Sequence, residues 1–237
     1  MVPTVTGRRP QDVVQRVQDV IARNRLRPGD PLPTEVDLCE AVGASRSSVR
    51  EAIRTLCALD LVEVRHGHGT YVGRMSMDPL VQSVTFRGRL DRSDGSGVRR
   101  EVVEVRQRLD QAAGAALLAL TDEAERATVL ERLEALAQQM KDLAARGAPA
   151  GQEHRAFHLL LSGPLHNGLL SELAGAFGDI DAALAAPGHA ASSRAALTHV
   201  AIVEAATSGD AGRLQTAVAA HYAPRLEDPH RRAEPAR

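Results

Sequence analysis

At 237 residues with 43% hydrophobic side chains, the chain is long enough for two domains and apolar enough to bury real cores, which excludes wholesale disorder. Aromatic residues make up 2% and Trp is absent, so the cores must be built from Ala, Leu, Val and Ile, a composition suited to closely packed helices. The net charge of −1 excludes a basic nucleic-acid coat, so any DNA case must rest on where the charges sit.

No apolar run reaches the roughly 18 residues that a membrane span needs. The opening MVPTVTGRRP carries no apolar signal core, so the cytoplasm is the expected location and no membrane is an expected partner. Cys39 and Cys57 fall at apolar positions of predicted helices and read as buried small hydrophobes in a reducing compartment. Residues 1–75 hold 11 Arg against 9 Asp plus Glu, a balance of only +2.

In chain order, residues 10–25 place Val13, Val14, Val17, Val20 and Ile21 on one helical face, after Pro10. LRPGDPLP must stop that helix. Thr34 can cap a second helix running to Val42, and Gly43-Ala44 makes a tight turn. Ser45 can cap a third helix that buries Val49, Ile53 and Leu56. The period then changes to two. Residues 61–64 and 70–72 read as strands joined by Arg65-His66-Gly67-His68-Gly69. Helix, helix, turn, helix, hairpin is the order of a winged helix-turn-helix.

Residues 76–97 read as a Gly/Ser/charge-rich linker with some helical character over 80–86. From residue 98 only helical periodicity remains, with helices expected near 98–120, 122–146, 152–163, 168–186, 192–208 and 210–223. The expected organisation is a winged domain at 1–75, the linker at 76–97, a helical domain at 98–230 and a fraying tail at 231–237. The fold class is therefore mainly α, a winged helix-turn-helix followed by an all-α domain.

In a helix-turn-helix the start of the second motif helix meets base edges. Here that start offers Ser45, Arg46, Ser47, Ser48 and Arg50, with the two Arg four apart on one face. Arg bonds O6 and N7 of guanine together, while hydroxyls and free helix amides suit phosphate. The alternative is a solvated helix face carrying two Arg. Arg54 reads as a backbone contact or a partner of Glu51. The hairpin tip, with His66 and Gly67, is small enough to approach a groove.

The second constellation is made of histidines. His154 and His158 lie four apart on one helix. His199 shares a face with Ile202, Val203 and Ala206, and His221 with Leu214, Ala217 and Val218. Three helices thus aim imidazoles inward, and imidazole is a good ligand for Zn, Ni, Cu and Fe. Each could equally be a packed core histidine. His166 reads as a surface residue beside the helix cap Asn167, and His68, His189 and His230 as exposed.

The segment from Val20 to Val72 resembles the N-terminal domain of the GntR family. The matching pieces are Pro28-Gly29-Asp30, Leu32-Pro33-x-Glu35, Gly43-x-Ser45-Arg46-x-x-Val49-Arg50-Glu51-Ala52 and Gly67-x-Gly69-Thr70-x-Val72. The resemblance implies DNA contacts from Ser45, Arg46, Ser47, Arg50, His66 and Gly67, and a homodimer on a two-fold symmetric double-stranded operator. Val36 departs from the family, which often has a DNA-touching Arg there.

Residues 98–223 are similar to the FCD effector domain of the FadR subfamily, an antiparallel helical bundle. The markers are Glu104-x-Arg106-x-x-Leu109-Asp110, Phe157-His158, His199-x-x-Ile202-x-x-Ala205 with Gly209-Asp210, and His221. Many such domains hold a divalent metal on one Asp and three His, which here implies His158, His199 and His221. The Asp position is taken by His154. Four His would favour Zn, or Ni or Cu, over Mn or Mg; otherwise the metal is lost and a His-lined organic pocket remains. Glu153 points about 100° away on the helix and is a poor substitute. The resemblance lets Arg106 reach a ligand carboxylate near the metal, and the bland alternative is a salt bridge to Glu104 or Asp110.

The expected function is a repressor or activator controlled by a small carboxylate-bearing effector. A metal-sensing regulator is the alternative. A metallohydrolase is a third reading, but no general base is clearly placed for it.

Overall fold

A computed structural model describes residues 10–91, 96–185 and 193–226. The expectations for His189, His230, the end of the 168–186 helix, the start of the 192–208 helix and the tail at 231–237 lie outside these residues. The chain divides into two compact units, Met1–Pro79 and Leu80–Arg237.

In the first unit, α1 (Pro10–Arg23) packs on α2 (Glu35–Val42) and α3 (Arg46–Ala58). The caps follow from the residues. Thr34 Oγ1 accepts from the Asp37 amide at 3.3 Å while the Asp37 carboxylate accepts from the Thr34 amide at 3.2 Å, a reciprocal capping box. Gly43 ends α2 at φ 58°, a left-handed position that costs a glycine nothing. Ser45 Oγ then accepts from the Ser48 amide at 3.2 Å and starts α3.

Val13, Val17, Val20 and Ile21 of α1 meet Leu38, Val42, Val49, Ala52 and Leu56 in one buried cluster. That cluster also takes Val62 from β1 (Val62–Arg65) and Val72 from β2 (Gly69–Val72). The two strands pair antiparallel from Val62↔Val72 to Arg65↔Gly69. The loop over 29–32 bonds the far edge of β2, with Leu32 N donating to Thr70 O at 2.8 Å and Val72 N to Asp30 O at 2.9 Å. Cys39 and Cys57 are free and half-buried rather than fully enclosed.

Where a linker with helical character only over 80–86 was expected, residues Asp78–Leu90 form a full helix, α4. The physical reason is a helix-start signal, Asp78-Pro79, with the Asp78 amide bonded to Ser76 Oγ at 3.2 Å. Gly88 is what lets α4 approach its neighbour, because a Cβ there would lie 2.7 Å from Leu184 Cδ2.

The second unit is a helical bundle. Helix α5 (Ser96–Ala119) packs on α8 (Gly168–Leu184) and α10 (Ala211–Leu226). Helix α9 (Ser193–Thr207) lies between α6 (Glu123–Ala145) and α10, and α7 (Gly151–Ser162) contacts α5, α6 and α8. A short 3-10 turn, Gly163–Leu165, follows α7, and Asn167 Oδ1 caps α8 on the Leu170 amide at 3.2 Å.

The core is aliphatic, as the composition requires. Leu117, Leu133, Leu161, Ile202, Leu214 and Val218 are enclosed together with Phe157 and Tyr222. Gly114 brings α5 close to α10; a Cβ there would stand 3.0 Å from Leu214 Cδ2.

Candidate functional site

Two surfaces carry the residues singled out by the sequence, one in each unit. In the first unit Ser45, Arg46, Ser47 and Arg50 are all exposed at the start of α3. Ser45 Oγ, besides capping the helix, lies 2.9 Å from both Ser47 Oγ and Ser48 Oγ. Arg50 Nε donates to Glu35 Oε2 at 2.8 Å, a pair open to solvent on both sides. Arg54 pairs with Glu51 at 3.1 Å. Val36 stands 49% exposed on α2, so the family's Arg position presents a bare apolar side chain.

The hairpin tip exposes His66, Gly67 and His68. Gly67 and Gly69 take φ of 77° and 106°, which a side chain would resist. Tyr71 stiffens the wing from behind: its hydroxyl donates to His68 O at 3.1 Å, and the Arg65 guanidinium sits 4.1 Å above its ring.

In the second unit the four histidines converge. His154 and His158 come from α7, His199 from α9 and His221 from α10, and one nitrogen of each lies within 4.8 Å of the others. His158, His199 and His221 are buried and His154 is half-buried. The Nε2 atoms of His154 and His158 face each other at 3.2 Å.

Two of the outer nitrogens stand beside polar groups. His158 Nδ1 lies 2.7 Å from Asp110 Oδ2, and the same carboxylate accepts from the Tyr222 hydroxyl at 2.5 Å. His221 Nδ1 is 2.8 Å from Thr198 Oγ1. We assign Nδ1–H tautomers to His158 and His221, which turn their Nε2 lone pairs inward.

Burial is the first cause of every shift here. It holds His154, His158 and His221 well below the usual imidazole range, reinforced by neighbouring imidazoles and by Arg106 and Arg225. Burial also pushes the Asp110 carboxyl up to about 6, against the Tyr222 hydrogen bond and the Arg106 charge. The Tyr222 hydroxyl is raised well above its ordinary value, again by burial.

Neutral imidazoles are what a transition-metal ion needs, because a protonated ring has no lone pair to give. The Nε2 atoms of His154 and His158, 3.2 Å apart, share a hydrogen bond in one tautomer and offer both lone pairs to an ion in another. The donor set therefore fits a divalent ion of the zinc or nickel kind, held by His154, His158, His199 and His221. Such an ion would supply Lewis acidity toward an anionic group in the adjoining space.

That space is a cavity of about 200 Å³ reached by all of these helices except α10's first turns, with Met140, Leu159 and Ala174 on its apolar wall. Its charged wall was only partly foreseen. Arg106 does not pair with Glu104 or Asp110: its guanidinium donates to Asp181 Oδ2 on α8 at 2.9 Å, with the side chain 3% exposed. The reason is position, since Asp181 is the carboxylate that α8 carries against this stretch of α5. Arg99 Nε holds the other oxygen of Asp181 at 2.9 Å, and Arg225 approaches at 3.8 Å. Arg99, Asp110, Asp181 and Arg225 were missed as site residues. Helical spacing could have found two of them, because Asp110 lies one turn beyond Arg106 and Arg225 one turn beyond His221. His166 is exposed, as expected.

Comparison with known proteins agrees with this division. Residues 10–72 match the bacterial regulatory proteins of the gntR family, and residues 101–224 match the FCD domain. The HTH-type transcriptional regulator LutR of Bacillus subtilis is 32% identical over 154 residues, spanning 65% of this chain and 67% of LutR. The Uxu operon transcriptional regulator of Escherichia coli is 32% identical over 178 residues, 73% of this chain and 65% of that protein. A solved Streptococcus agalactiae GntR structure shares the fold with a TM-score of 0.62 at 23% identity, covering 92% of this chain and all of that one. Among the described residues no helix is long and apolar enough to cross a membrane. The chain therefore belongs to the gntR family of bacterial regulatory proteins, in the FadR-like branch that carries an FCD domain, and is a DNA-binding transcriptional regulator rather than an enzyme.

Proposed function

We propose that this regulator binds a two-fold symmetric double-stranded operator as a homodimer, and that a small carboxylate-bearing metabolite tunes the affinity. The metabolite sits beside a divalent transition metal, zinc first and nickel second, in the histidine pocket. On the DNA side Arg46 and Arg50 read guanine, Ser45 and Ser47 hold phosphate, and His66 with Gly67 brings the wing to the adjacent groove. Arg50 must exchange Glu35 for a base, and the solvent-exposed pair makes that exchange easy.

The observation that carries the effector reading is the charge of the cavity wall. Three largely buried guanidiniums, Arg99, Arg106 and Arg225, share the single carboxylate of Asp181. A buried surplus of positive charge favours an anion, and an imidazole-bound metal adds to it. Arg106 and its neighbours then hold the carboxylate.

The test is fluorescence anisotropy on DNA from the gene's own promoter, at fixed salt, with a panel of small carboxylic acids in zinc-equilibrated protein. One acid changes the dissociation constant at least several-fold. Salt-insensitive binding, or binding that no acid alters, counts against the reading. A second reading, the ion itself as effector, draws on the all-imidazole ligand set. It requires zinc alone to shift DNA affinity with no acid present.

A further inference from the structure

Arg225 does something that the effector pocket does not require. It lies four residues beyond His221 on α10, so both side chains leave the helix on one side. Its guanidinium is directed at the imidazoles: Nη2 lies 3.4 Å from His154 Nε2, and Nη1 lies 3.5 Å from His221 Nε2. The side chain is 18% exposed, so little water competes for these contacts.

These nitrogens are metal ligands in the reading given above. Each neutral imidazole has one lone pair, and a lone pair accepting from N–H cannot also coordinate an ion. With the His221 Nδ1–H donating to Thr198 Oγ1 at 2.8 Å, Nε2 is the ring's inward acceptor. A guanidinium within hydrogen-bond reach of ligand atoms would also stand a few ångströms from a dication, where Coulomb repulsion is strong in a partly buried site.

The other charges facing this group explain why it rests there. Arg99 and Arg106 already occupy both oxygens of Asp181 at 2.9 Å, and Arg225 reaches that carboxylate only at 3.8 Å. The guanidinium therefore leans on the two imidazoles. Asp181 is still close enough to receive it when it turns away.

We infer that Arg225 is a built-in competitor for the metal, occupying the His154 and His221 lone pairs until an ion displaces it toward Asp181. The inference deepens the proposed function and rests on its metal-binding reading. Arg225 thereby sets how tightly the four histidines hold their ion, a specificity-determining role outside the ligand set.

The experiment is zinc affinity, measured by competition with a chromophoric zinc chelator near neutral pH, on the full chain. The proteins are wild type, Arg225→Met, Arg225→Gln and Arg155→Gln. Arg155 also lines the cavity and its guanidinium is bonded to Asp179, so its variant tests whether losing a nearby charge is enough to change zinc binding. Wild type binds one zinc, and Arg225→Met binds one about tenfold more tightly or better. Arg155→Gln matches wild type. Arg225→Gln keeps much of the side-chain volume and should also tighten binding; it is the working variant if the Met protein does not fold. One zinc per chain at equal or weaker affinity in the folded Arg225 variant overturns the inference and leaves the metal reading standing. Zinc binding by neither protein removes the metal reading and the inference together.

Discussion

At the scale of single residues, the buried histidines tie stability to pH with a definite sign. Their folded values lie well below the ordinary imidazole range, so the folded state binds fewer protons than the unfolded chain once pH falls under about 6.5. The stability they hold above that pH is lost progressively on acidification. Asp110 works the other way. Its folded value of about 6 exceeds the ordinary carboxylate value, so it contributes stability below the unfolded value that is lost as pH rises through about 6. Three protons against one decide the sign. In metal-free protein, urea unfolding should show stability falling between pH 7 and pH 5, by up to about 3 kcal/mol per pH unit for two net protons. Stability that rises over that interval would contradict the burial of these rings.

The DNA face makes a second residue-scale prediction. If Arg46 reads guanine as proposed, Arg46→Ala should cost about 1–3 kcal/mol of base discrimination and relax specificity at that one operator position. Competition between the operator and base-substituted variants checks it. Helical spacing alone puts Arg46 with Arg50 on one face and His154 with His158 on another; that His199 and His221 meet them is decided by packing between helices. The partner of Arg106 was not legible in the sequence. Asp181 lies 75 residues away on another helix, and which carboxylate meets a buried guanidinium is decided by packing that no local spacing reports.

Among the elements, the helix caps are legible in the sequence. Thr34, Ser45 and Asn167 each accept an amide of the helix they begin. Each is a short polar side chain that does its work locally. Ser45→Ala should destabilise the winged unit by about 1 kcal/mol and fray the start of α3. Amide exchange at Ser47 and Ser48 would register the fraying, and unchanged protection there would refute it. Helix α4 was under-read because RGRLDRSDGSG looks like a linker, whereas the Asp78-Pro79 start and the packing of Gly88 on Leu184 carry the helix to Leu90. The close passage of α5 and α10 also escaped sequence reasoning, since Gly114 looks like any mid-helix glycine. Gly114→Val should force those helices apart and lower the thermal midpoint by several degrees, as about 1–3 kcal/mol of overpacking does.

For the whole molecule, the first unit carries the helix-turn-helix and its wing, and the polar core of the second is four imidazoles beside three guanidiniums. Such a core costs stability that an aliphatic filling would not, a cost that the proposed ligand-binding role would account for. Control requires that the effector bind one state of the regulator better than another, and the coupling must be reciprocal. The deciding measurement is the operator dissociation constant at fixed salt and zinc, with and without the effector acid, for wild type and His158→Ala. The account predicts a shift of about tenfold for wild type on adding acid. It predicts a folded His158→Ala protein that still binds operator but no longer responds. An undiminished response in the variant would contradict it, as would an acid that binds the wild type yet leaves its DNA affinity unchanged.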